Sequence, residues 1–230
     1  MQAGNDYHKY FIVDGRHVGD YEAMYRECAD PWRIEELGMR LDMRAALLLA
    51  GQAPEGPIRV LDAGCGAGLL SLELWELLAR TRPGSSLTIS DISPTAVAKA
   101  SERILGSPGA RGGGALPVGL EARPFDLRLI GDPRCPWPDG SFGLILMAQV
   151  LWGLVENLGG LFGGLARKLG PDGLLVMSQH FPGPGRQGYA PSLGPDAVLD
   201  LAGLAGLRLL HTLETDRATN HHWAAAWTCG

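Results

Sequence analysis

No apolar run in this chain is long enough to cross a bilayer; the richest stretches, LLVM and LILMA, have the length of strands. Cysteine is scarce. Cys28, Cys65, Cys135 and Cys229 are scattered, with no CxxC and no zinc-ligand spacing, which excludes a disulfide framework and a zinc ribbon. Reduced thiols in a cytoplasm are the expectation. Long basic runs are missing as well: 20 Lys and Arg against 25 Asp and Glu leave a formal net charge of −5. That balance argues against a protein that grips a nucleic-acid backbone. The opening residues, MQAGNDYHKYF, lack a charged segment followed by an apolar core, so no signal peptide is expected. No repeat of solenoid period is visible.

What is present is the composition of a soluble globular chain, 46% hydrophobic and 20% charged over 230 residues, enough for one domain with a modest extension. Two N-terminal helices are expected. GDYEAMYRECADPW ends at its Asp-Pro, and RIEELGMRLDMRAALLLAG places Ile34, Leu37, Leu41, Ala45 and Leu48 near helical spacing before Gly51. The pattern assigns residues 1–52 to an N-terminal helical segment and 53–230 to the main domain. From residue 58 strands alternate with helices: IRVLDA, LTISD, DLRLI, GLILMA, LLVMSQ, LRLLHTLE and HHWAAAWT read as strands. Ser93 and Pro94 form a helix start, and GPDG reads as a turn into the fifth strand. The pattern predicts an α/β fold, a Rossmann-like three-layer sandwich with a mostly parallel seven-stranded sheet. Its last strand is antiparallel, because TDRATN is too short for a parallel crossover.

The first strand runs into Gly64-Cys65-Gly66-Ala67-Gly68, preceded by Asp62. Three glycines in five positions at a strand-to-helix junction indicate positive φ or close approach of a ligand. Asp91 ends the second strand, where an acid can accept both hydroxyls of a ribose. Asp132, in LIGDP, is expected to end the third strand and to meet an adenine amino group. Either aspartate could instead be a helix cap or turn former.

With these residues in view, the chain resembles the class I S-adenosylmethionine-dependent methyltransferases. VLDAGCGAG is similar to the family's first motif and ISDISPTAV to its acidic second. LIGDPRCPWPDGSFGLILMAQVLWGL resembles the region of the third and fourth strands, and LARKLGPDGLLVM the Pro-Gly turn before the fifth. Gly143 stands where an aspartate is usual. The resemblance implies S-adenosyl-L-methionine as cofactor, S-adenosyl-L-homocysteine as product, and no metal. It implies that Asp62, Gly64, Cys65, Gly66 and Gly68 line the methionine portion. Asp91 and Ile92 would hold the ribose, Asp132 the adenine, and Ala148 the neighbourhood of the sulfonium. Arg40 or Arg44 would pair with the methionine carboxylate, with Arg44 carried forward as the candidate.

The acceptor is less defined. AQVLW stands where methyltransferases of amide or nucleobase nitrogens often carry Asn/Asp-Pro-Pro-Tyr, which lowers those acceptors. ADPW, PWPDGSFGLILMAQVLWGL and SQHF are similar to the NodS-like branch, whose members methylate an amino-sugar nitrogen. The expectation is methyl transfer to an amine or hydroxyl of a small molecule in bacterial natural-product or sugar modification. His180, after the fifth strand, is the candidate base and Gln149 the second catalytic candidate. Adjacent strand residues face opposite ways, so His221 and His222 are not expected to share a metal, although one could face the acceptor. The aromatics Tyr7, Tyr10, Tyr21, Tyr25 and Trp32 are expected in a lid, and loop 181–195 at the acceptor pocket. No nucleic-acid or membrane partner is expected, and the protein would be a monomer or homodimer. Three alternatives stay open: a non-catalytic regulatory protein that binds adenosylmethionine, a methyltransferase acting on RNA or protein, and a nicotinamide dehydrogenase.

Overall fold

A computed structural model describes residues 8–13, 16–110, 118–182, 193–215 and 220–229. Tyr7, the centre of the acceptor loop at 183–192, and residues 216–219 lie outside them. The N-terminal part begins with a short helix, α1 (His8–Phe11), and a ribbon of two-residue strands, β1 (Ile12–Val13) and β2 (Arg16–His17). Three helices follow, α2 (Tyr21–Glu27), α3 (Ile34–Leu37) and α4 (Leu41–Ala50). The strands of the main sheet are β3 (Arg59–Ala63), β4 (Ser86–Ser90), β5 (Gly119–Ala122), β6 (Phe142–Ala148), β7 (Leu169–Pro182), β8 (Leu207–Thr215) and β9 (Asn220–Cys229). Between them run α5 (Leu69–Thr81), α6 (Pro94–Leu105), α7 (Leu158–Lys168) and α8 (Pro195–Leu204).

The sheet has the order β5-β4-β3-β6-β7-β9-β8. β5, β4, β3, β6 and β7 are parallel neighbours, and β9 slots antiparallel between β7 and β8. Alternation along each strand serves two cores. Val60, Leu144, Leu146 and Val176 pack with α4, α5 and α6 on one face. Leu61, Ile145, Met147 and Met177 pack with α7 and α8 on the other. This is the three-layer Rossmann-like sandwich expected, and its ligand crevice belongs at the switch point between β3 and β6. Among the described residues no helix is long and apolar enough to cross a membrane.

Three local readings are corrected. DLRLI is not a strand: Asp126 accepts from Arg128 N (3.0 Å) and caps a 3-10 helix over Leu127–Leu129, so Leu127 and Ile130 are buried three positions apart. The third strand of the sheet is Gly119–Ala122, a short edge segment without an apolar run. The second N-terminal helix breaks at Gly38 (φ 77°), so Leu41 and Leu48 stay 58% and 65% exposed while Met43, Ala46, Leu49 and Ala50 are buried. Gly170–Gly173 lies inside β7 as an irregularity, with the register slipping between Phe142 and Leu144, rather than as a turn before the strand.

Helix α4 contributes to the sandwich core, with Met43 and Ala46 in the same cluster as Ala224 and Ala226. α2 instead packs on α6, where Met24, Tyr25 and Cys28 surround Ala96.

Candidate active site

A cavity of about 680 Å3 opens at the carboxyl ends of β3, β4, β6 and β7, beneath α2. Its volume is that of a pocket for a small molecule, a class that spans roughly 300–1,000 Å3.

The glycine loop forms one wall. Gly66 (φ 52°) and Gly68 (φ 82°) hold left-handed backbone, where a side chain strains the chain. A Cβ on Gly68 would lie 2.5 Å from Ala100 Cα, so this glycine brings α5 against α6. A Cβ on Gly66 would lie 2.7 Å from the Tyr25 hydroxyl, and one on Gly64 2.3 Å from a Val150 methyl. These glycines let Tyr25 of α2 close over the loop, whose amides at Gly64 and Cys65 donate to Ser90 O (2.7 and 2.9 Å).

A buried carboxylate, Asp62, and a half-buried one, Asp91, face this wall. Asp62 accepts a 2.6 Å bond from Ser71 Oγ, yet burial pushes its carboxyl up to about 6. Asp91 accepts from Gly66 N and Ser93 N, both at 3.0 Å, which ties the end of β4 to the glycine loop. Burial raises its pKa as well. Cys65 lines the wall, but burial drives its thiol far up, so it is no nucleophile.

The structure brings Asp62, Gly64, Cys65, Gly66, Gly68, Asp91, Ile92, Ala148, Gln149 and His180 to this one cavity. Two expected residues lie elsewhere. Asp132 does not end a strand; it sits in a turn outside the cavity, where Arg134 (Nε–Oδ1 2.8 Å) holds its carboxyl at about 2. Asp126 lines the cavity in its place, beside Phe125, whose N donates to Asp91 O at 2.9 Å. Burial pushes the Asp126 carboxyl up, but the clamp on Arg128 outweighs it and the net shift is down. Arg44 is exposed and its Nε donates to Met39 O at 3.2 Å, away from the wall. Arg40 lines the cavity, and its buried Nε has no hydrogen-bond partner, 3.7 Å from Asp42 Oδ1.

The expected separation of the two C-terminal histidines is observed. His221 Nε2 meets Glu214 Oε2 at 2.9 Å, while His222 Nδ1 meets Asp42 Oδ1 at 2.7 Å. His222 stacks at 5.3 Å beside His180, whose ring is on the cavity wall. Asp42 was not visible as a site residue: an acid in the first turn of a helix reads as an ordinary partner of the helix dipole. Asp126 carried one signal, an aspartate capping the turn after a strand. Among the described residues no group of three metal-ligating side chains converges.

Helix α2 is tied to the start of α6 by Glu22, which accepts from Ser93 Oγ (2.6 Å), Thr95 Oγ1 (2.6 Å) and Thr95 N (3.2 Å). Lys99 adds bonds to the carbonyls of Tyr25 and Cys28. Tyr21, Tyr25 and Trp32 from this region line the cavity.

Residues 36–225 match a methyltransferase-domain family. Among solved structures, the N-methyltransferase NodS from Bradyrhizobium japonicum WM9 in complex with S-adenosyl-L-homocysteine aligns with TM-score 0.63 and 18% identity, covering 90% of this chain and 97% of that one. A TehB-like methyltransferase from Corynebacterium glutamicum aligns at 0.60 with 23% identity over 90% of this chain and 99% of that one. One from Aquifex aeolicus aligns at 0.64 with 20% identity over 90% and 97%. At these identities the likeness is one of fold. Among curated proteins, ribosomal RNA small subunit methyltransferase C of Enterobacter sp. (strain 638) is 39% identical over 122 residues, 52% of this chain and 33% of that protein. The Escherichia coli K12 counterpart is 42% identical over 72 residues, 31% of this chain and 20% of that protein. The chain thus spans a third or less of those relatives' length. A family match over most of the chain, on a sheet with this strand order, places the chain in the class I S-adenosylmethionine-dependent methyltransferases.

Proposed function

We propose that the protein transfers a methyl group from adenosylmethionine to an amine or hydroxyl of a small molecule, of the kind met in sugar or natural-product modification. The observation that carries this reading is the roofed cavity. Cradle and acceptor space share one chamber under α2, and among its described lining residues the acids Asp30, Glu35, Asp62, Asp91, Asp126 and Glu156 outnumber Arg40, Arg103 and Arg128, a balance unsuited to a polynucleotide.

The residues present fit the donor. The unpartnered Arg40 Nε suits the methionine carboxylate, the buried Asp62 the amino group, Asp91 the ribose hydroxyls and Asp126 the adenine edge. When bound, adenosylmethionine supplies an activated methyl on a sulfonium. The protein's task is then alignment: the glycine loop and Ala148 hold the donor end, and the space toward Trp152, Tyr21 and His180 is left for the acceptor. His180 is placed to take the acceptor's proton. A neutral amine or hydroxyl is the acceptor that such a base serves.

A second reading, an RNA acceptor, is favoured by the partial match to the ribosomal RNA methyltransferases. The net charge of −5 counts against it. A regulatory protein that binds adenosylmethionine without turnover shares the cradle but has no use for His180.

Calorimetric titration with adenosylhomocysteine, and with NAD as control, tests the cradle; adenosylhomocysteine binding lost in Asp91→Ala is expected. Transfer of labelled methyl is then measured into panels of amines, sugars and hydroxylated metabolites, and into small-subunit ribosomal RNA. Label in RNA alone would overturn the small-molecule reading. Binding without transfer to any acceptor would favour the regulatory one.

A further inference from the structure

Four chain segments meet behind the acceptor end of the cavity through one carboxylate. Asp42, in the first turn of α4, has a side chain with no solvent exposure. Its Oδ2 accepts from Gln149 Nε2, just after β6, and its Oδ1 is 2.7 Å from His222 Nδ1 on β9. The tautomer of the His222 ring sets which atom of this pair donates. Gln149 Oε1 in turn accepts from the backbone N of His180 on β7 at 3.1 Å, and from Gln179 Nε2 at 3.4 Å. The His180 ring lies 5.3 Å from that of His222. One contact to the His180 main chain and one to its ring lead back to Asp42.

The arrangement is costly in isolation. Removing a carboxylate from water is unfavourable unless donors replace the lost hydration. Gln149 also holds left-handed backbone (φ 62°), a conformation a non-glycine residue keeps only where its surroundings impose it. A purely structural contact could be made by apolar side chains at lower cost. A buried anion that braces a strained residue on the cavity wall is the pattern of a site held in fixed geometry.

We propose that Asp42 is a positioning residue for methyl transfer, fixing Gln149 and His222 and through them holding His180 at the acceptor face. This rests on the methyltransferase reading above. Asp42 does not line the cavity, so its effect passes through the other three side chains.

The network's polarity supplies the test. In Asp42→Asn the new amide can accept from His222 but turns its NH2 toward the NH2 of Gln149. Adding Gln149→Glu exchanges the two groups: the introduced carboxylate accepts from the new amide and still accepts from His180 N. Nitrogen–proton spectra of the histidine rings are recorded on each protein. The wild type is expected to show a slowly exchanging Nδ1 proton on His222. Asp42→Asn is expected to move the His180 ring signals, and the exchanged pair to return them. If Asp42→Asn does not fold, His222→Gln and Gln149→Ala probe the two arms separately, and each should move His180. Once an acceptor is identified, Asp42→Asn should lower kcat by about tenfold or more, and the exchange should recover part of the loss. His180 signals that stay in place in Asp42→Asn, or in both single-arm variants, overturn the positioning role whatever the ligand. Adenosylhomocysteine failing to bind the wild type would instead overturn the function proposed for the site.

Discussion

Glu22 and Ser93, 71 positions apart, meet at 2.6 Å between α2 and the start of α6. Ser93 is already committed as the cap of α6, accepting from Ala96 N, so one hydroxyl joins the lid helix to the helix that follows Asp91. Glu22→Ala should free α2 from α6. Losing charge-assisted bonds of this kind costs about 1.5–3 kcal/mol, so adenosylhomocysteine affinity should fall by roughly tenfold or more, with faster tryptic cleavage at Arg26. Ser93 and Thr95 hold the Glu22 carboxyl below its ordinary range, so the tether is present at neutral pH and is lost as acid protonates it.

Asp62 behaves in the opposite sense. Burial raises its folded-state pKa to about 6 from the ordinary 3.8. The folded protein therefore holds this proton more tightly than the unfolded chain. The group favours folding in acid and costs about 3 kcal/mol once pH has risen through 6. Asp62→Asn should raise the melting temperature at pH 7.5 and flatten its fall between pH 4 and 6. A ligand amino group stabilises the ionised form, so adenosylhomocysteine should bind more weakly as pH falls below about 6. Thermal melts and calorimetry over that range test both statements; binding that is flat with pH would place the amino group elsewhere.

The adenine end separates two aspartates that look alike in sequence. Asp126→Ala removes a carboxylate on the cavity wall and releases Arg128, and should weaken adenosylhomocysteine binding by roughly tenfold. Asp132→Ala removes only an exposed pair with Arg134, and binding should be unchanged. The two titrations side by side decide which acid faces the adenosyl group.

Gly66→Ala and Gly68→Ala should fail differently. The first places a methyl 2.7 Å from the Tyr25 hydroxyl, which can move with its lid helix, so affinity should drop more than stability. The second meets the backbone of Ala100 at 2.5 Å, which cannot move without α6. Its penalty should fall on folding, by about 2 kcal/mol or more, read as a lower urea midpoint.

What could be read from the chain alone follows a physical divide. Gly64 to Gly68 and Asp91 act through backbone conformation and through their places at strand ends, and local sequence encodes both. Asp132 was misplaced because the true third strand, Gly119–Ala122, lies at the sheet edge and needs no apolar run, whereas DLRLI owes its hydrophobicity to a 3-10 turn packed on α7. Arg40 and Arg44 stood alike on a helix drawn unbroken through Gly38; the break there leaves Arg40 at the start of α4 and on the wall, with Arg44 exposed. Asp42 is defined by a residue 180 positions away, and no local pattern carries that distance.

The place of β9 in the sheet sets an order on assembly. A chain emerging from the ribosome completes Asp62, the glycine loop, Asp91 and Asp126 well before residue 220. β8 emerges earlier than β9 but has no sheet neighbour until β9 enters between it and β7. Asp42 waits just as long for His222. The glycine-loop wall of the chamber is thus complete early in synthesis, while the wall behind His180 closes only when the ten residues of β9 enter the sheet and bring His222 to α4.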